Sequence, residues 1–146
     1  MIRPVNQPEP QGSESAPLEL LQVARSGLAM VPNTLEEVLE AISEEDLDEV
    51  QPSLATAMRN LLEAARIISD VASELIDQMQ PPLMDELKDA ERILSKRLLD
   101  FRRAMGTGSA DTIRQSLRDD LMQSASHWSR LLDGVTDRIE STRKDH

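Results

Sequence analysis

The sequence predicts an all-α protein, an elongated antiparallel helical bundle, on three observations. Eight apolar residues, Leu54, Met58, Leu61, Ala65, Ile68, Ala72, Leu75 and Met79, follow one another at alternating steps of four and three. That is the a/d spacing of a helix that must bury a seam against another helix. Comparable spacing recurs after residue 82 and after residue 109. The connections between these stretches are short and marked by Pro81-Pro82 and by Gly106-Thr107-Gly108, which favours antiparallel neighbours.

Element by element, residues 1–16 are rich in Pro, Gln, Ser and Glu and are expected to form a disordered N-terminal arm ahead of one helical-bundle domain, 17–146. Short N-terminal helices are expected next. Ser15 and Pro17 can open the first, with Leu18, Leu21 and Leu28 on one face and Gly27 marking its end. Thr34 and Glu37 form a capping box ahead of Leu35, Val38, Leu39 and Ile42. Ser43 with Glu44, Glu45 and Asp46 reads as a further cap or a break, and Pro52 as the end of that element.

Three long helices follow, at about 53–80, 83–105 and 109–142. Ser53 caps the first, whose seam has apolar flanks at Ala57, Ala64, Val71, Leu62 and Ile76. A stripe this broad suits a bundle of three or more helices better than a two-stranded coil. Pro82 fits the first turn of the second, which places Met84, Leu87, Glu91, Leu94, Leu98, Phe101 and Met105 on its seam. Ser109 caps the third, which carries Ile113, Leu117, Leu121, Ala125, Trp128, Leu132, Val135 and Ile139. Gly134 interrupts it at a point where a close helix crossing would fit.

Composition narrows the function. The 146 residues hold one Phe, one Trp and no Tyr, so the core is aliphatic and offers few aromatic anchors. With no cysteine, disulfides and thiolate chemistry are excluded and a reducing, cytoplasmic setting is expected. No secretory signal and no apolar run long enough to span a membrane is visible. The net charge is −11, and all of the excess lies in residues 1–80, which hold fifteen acids and four bases against twelve of each in 81–146. That balance argues against nucleic acid and anionic membranes as partners.

Catalytic motifs are absent from the pattern, and no cofactor is expected. The two histidines are His127 and His146, too few for a multi-histidine metal site, and Ser124 stands where a Glu-x-x-His motif needs Glu. Gly106-Thr107-Gly108 lacks the lysine of a phosphate loop. Helical geometry sets Trp128 in the core stripe and His127 on its shoulder. The one route to a carboxylate enzyme or metal bundle runs through Glu91 on its apolar seam, next to a base such as Arg97.

Candidate contacts are of four kinds. Leu54, Met58, Leu61, Ile68, Leu75 and Met79 are the expected oligomer seam. Glu44, Glu45, Asp46, Asp48 and Glu49 form an acidic surface, either a solvated helix start or a docking site for a basic segment. Lys88, Arg92 and Lys96, four apart, line a basic stripe that could pair with it within the chain or in a second copy. Ile67 and Leu99 lie off the seams and become contacts if the N-terminal helices leave them uncovered. The leading expectation is a non-enzymatic helical interaction or scaffold module that forms a homo-oligomer. The alternative is a small acidic chaperone or regulator, secretion-chaperone-like, holding a basic or helical protein partner.

Overall fold

The computed structural model describes residues 8–42 and 47–144. Among these the protein is all-α, and four long helices pack together where three were expected. They are α1 (Pro8–Ala41), α2 (Leu47–Glu74), α3 (Pro81–Thr107) and a last rod built from α4 (Ala110–Ser116), a π-helical segment (Leu117–Met122) and α5 (Gln123–Lys144).

The fourth long helix comes from the N-terminal region, where local breakers lose to burial. Pro17 and Pro32 both sit inside α1, and Gly27 and the Thr34–Glu37 pair lie in its interior. Each internal proline costs a helix about 3 kcal/mol. Against this, Leu21, Ala24, Leu28, Val31, Leu35, Val38 and Ile42 are all buried on one heptad stripe. The larger of these side chains each gain about 1.5–3 kcal/mol from leaving water, so their sum exceeds the two proline penalties. Pro8 and Pro10 occupy the first turn, where no intrahelical N–H bond is lost. The helix therefore starts inside the stretch 1–16; residues 1–7 of the expected arm lie outside the described residues.

The same competition shifts α2. Pro52 does not end an element but stands inside the helix, between buried Val50 and Leu54. At the far end the helix stops at Glu74, short of 80. A 3-10 turn (Ile76–Gln78) leads into extended Met79 and Gln80, the backbone required ahead of Pro81. The Pro81-Pro82 start and the glycine stop of α3 fall where the sequence puts them. Gly108 adopts φ 70° and its N–H donates to the Met105 carbonyl at 3.2 Å, while Ser109 Oγ accepts from the Thr112 N–H at 3.3 Å.

The helices run up, down, up, down. Arg25, midway along α1, pairs with Asp133 of α5 at 2.9 Å, and Arg114 of α4 donates to the Ile42 carbonyl just past the end of α1 at 2.9 Å, so α1 and the last rod are antiparallel. α1 packs most extensively on α2. α3 lies along the whole last rod and touches α2 only slightly, so that edge of the bundle is open.

The π segment has a cause in the sequence. Ile113, Leu117, Leu121 and Ala125 are three successive four-residue steps, each overshooting a full α-helical turn by about 40°. The wider turn between Leu117 and Met122 takes up the surplus residue. All four side chains and Trp128 thereby stay buried on one line.

Candidate functional site

The expected oligomer seam is filled by the chain itself. Leu54, Leu61, Ile68 and Met79 are buried, and Met58 and Leu75 are half-buried against the same core. The heptads of α2 therefore meet α1 and the last rod rather than a second molecule. Their spacing reports a helix partner and says nothing of which chain supplies it.

The acidic–basic pairing is not made within the described residues. Glu44, Glu45 and Asp46 lie outside them; Asp48 and Glu49 are exposed in the first turn of α2, where carboxylates favour the helix dipole. Lys88, Arg92 and Lys96 are exposed on α3. Arg92 pairs with Asp89, and Lys96 with Asp100 at 3.3 Å, both along the same helix. Such exposed pairs contribute little.

A different surface is left open by α1. Leu20, Val23 and Met30 are 45%, 57% and 57% exposed. With Ala16, Gly27 and Thr34 they form a second heptad stripe, stepping four, three, four, three, four along the helix, beside the buried one. Its solvent flank carries Glu19 and the uncharged Gln22, Ser26 and Asn33. On the side facing α2, a Cβ at Gly27 would lie 3.8 Å from the Asn60 carbonyl oxygen. Splitting α1 at Gly27 and Thr34 hides this stripe in the sequence, because no single short helix contains enough of it to show a period. Of the two off-seam residues, Ile67 is half-buried against the core and Leu99 is 48% exposed.

The polar features gather between α3 and the last rod. Ser124 and Ser116 are the buried polar residues among those described. Ser124 Oγ donates to the Asp120 carbonyl at 2.6 Å and accepts from the Arg97 guanidinium at 3.3 Å, and Ser116 Oγ bonds the Asp120 carboxylate. These bonds sit on the π segment and its borders, turned toward α3. Trp128 is buried in the core and His127 sits on the shoulder, as helical geometry requires. Burial, then Arg130 and Arg97, hold the His127 imidazole below its ordinary pKa, with Glu86 opposing them.

Glu91, the carboxylate expected on an apolar seam, is exposed, so nothing forces it to take a partner. At Gly134 a Cβ would meet Leu83 Cδ1 at 3.5 Å, an ordinary contact where α3 begins its path along the last rod. Among the described residues no group of three or more His, Asp or Glu side chains is placed to hold a metal ion. No helix among them is long and apolar enough to cross a membrane.

Among the described residues these features define an all-α bundle with an exposed apolar stripe on α1 and polar side chains gathered between α3 and the last rod. No family model, no curated protein and no solved structure matches the chain.

Proposed function

We propose that the protein is a non-enzymatic, cytoplasmic interaction module that self-associates through the outer stripe of α1. The carrying observation is the exposed heptad Ala16, Leu20, Val23, Gly27, Met30 and Thr34, a spacing suited to a helix of another chain. A second copy is favoured by self-complementarity. Antiparallel pairing about residue 25 sets Leu20 opposite Met30 and Val23 opposite Gly27, so a branched side chain meets a residue without one. Both halves of an isologous contact repeat that match. No charged residue lies on the stripe between Ala16 and Thr34, so the contact brings no like charges face to face.

Two copies each carrying −11 repel at long range, and salt screens that repulsion. Association through this stripe therefore strengthens as salt rises, whereas pairing of acidic and basic segments between copies weakens. Light scattering over a concentration series at two salt levels reads both. The expected result is a mass rising from 16.3 kDa toward twice that value, more readily at high salt. Val23→Glu with Met30→Glu, checked for unchanged helicity by circular dichroism, should hold the protein at the monomer mass. A wild-type monomer at every concentration, or an oligomer indifferent to both substitutions, overturns the reading.

A further inference from the structure

A cleft of about 360 Å³ opens between α3 and α5. Ile93 and Arg97 line it from α3, and Gln123, Ser126, His127 and Arg130 from α5. The α5 residues are spaced i, i+3, i+4 and i+7, which aims all four at the same side. Five of the six side chains can donate hydrogen bonds: two guanidiniums, an imidazole, an amide and a hydroxyl. No carboxylate lines the cleft.

The two arginines are not neutralised locally. Neither Arg97 nor Arg130 forms an ion pair among the described residues, whereas Arg25, Arg66, Arg92, Arg103 and Arg114 do. Arg97 is half-buried and anchored by its bond to Ser124 Oγ, a hydroxyl itself held by the Asp120 carbonyl. That chain of bonds begins at the π segment, which orients Ser124 toward α3. Arg130 approaches from the opposite wall. Both arginines line the cleft beside the His127 imidazole and lower its pKa, with Glu86 the carboxylate that opposes them. Gathering unmatched positive charge costs free energy that an anion between the walls would relieve.

We propose that this cleft binds a phosphate group. Two guanidiniums match the charge of a dianion, and donors arriving from two helices suit a tetrahedral oxyanion better than a planar carboxylate, which one guanidinium fork satisfies. Ile93 supplies an apolar wall for whatever carries the phosphate.

His127 is the built-in reporter, one of only two histidines in the chain. Proton NMR of the full-length protein, titrated with inorganic phosphate against sodium chloride at matched ionic strength, follows its ring signals. Millimolar phosphate should move the His127 signals and raise its apparent pKa while leaving His146 in place. Arg130→Gln, with unchanged circular dichroism, should weaken phosphate binding roughly tenfold, the scale of one charge-assisted hydrogen bond. Arg97→Lys keeps the charge and loses the fork, and should weaken it as well. Identical His127 behaviour in phosphate and chloride overturns the proposal. So does an equal response to acetate, or binding untouched by Arg130→Gln.

Discussion

The α1–α2 pair and the α3–last rod pair meet the same packing problem with different chemistry. Nine of the 28 residues of α2 are buried and all nine are apolar, whereas α3 buries five of 27. The buried polar residues, Ser116 and Ser124, belong to the last rod, and Ser124 bonds across to α3. One pair is a dry heptad interface whose charges face outward. The other buries fewer residues of α3 and holds hydrogen-bonded serines, and the proposed phosphate cleft opens along it. The contrast teaches where a polar cleft can open: not within the interface that α2 saturates with apolar contacts, but along α3, which buries fewer residues.

The largest effect that tests this division is a pair of core truncations. Ile68 is fully buried in the α2 stripe, so Ile68→Ala should cost about 2–5 kcal/mol. Leu98 of α3 is only half-buried against the core, and Leu98→Ala should cost about 1 kcal/mol in proportion to the smaller area removed from water. Urea unfolding followed by circular dichroism measures both. Equal costs would break the comparison, because α3 would then be anchored as firmly as α2.

Much of the dry half was legible in the sequence, since the heptads of residues 54–79 dictate a helix with a buried seam whatever covers it. The Pro81-Pro82 start, the Gly108 stop and the Ser109 cap were legible for the same reason: each acts within one turn of backbone. Illegible was any feature in which distant burial outvotes a local breaker. Pro17 and Gly27 read as the opening and the end of a short helix, yet the stripe from Leu21 to Ile42 holds both, with Pro32, in one helix. The exposed α1 stripe vanished with that misreading. The cleft was hidden differently: Arg97 and His127 are separated by a helix and a turn, and only the antiparallel docking of α3 brings their walls together.

A deletion sharpens the contrast within the last rod. Arg118 is exposed and lies in the π segment that absorbs the surplus residue. Removing it converts the steps 113–117–121–125 into a regular alternation of four and three, so the apolar stripe can stay in line on an ordinary α-helix. The expected change in stability is within about 1 kcal/mol, with the cooperativity of unfolding retained. Loss of the folded state would show that the wide turn is needed for more than taking up a residue.

The smallest expected effect concerns His127, and its sign follows from the direction of the shift. The folded protein holds the imidazole below its ordinary value of 6.5, which the unfolded chain recovers. As pH falls through that value the unfolded state takes up a proton first. The contribution of His127 is therefore complete above about pH 6.5 and declines as the solution becomes more acidic, levelling off below the folded pKa. Urea unfolding at pH 7.5 and 5.5 should show wild type losing more stability than His127→Gln across that interval, the carboxylate background being shared by both. The effect is modest because the ring is only partly buried and solvent screens the arginines. Phosphate in the cleft should shrink the difference, since an anion beside the ring opposes the two guanidiniums that depress its pKa. A difference that persists unchanged in phosphate would mean that no anion sits beside the ring and would deny the cleft its ligand.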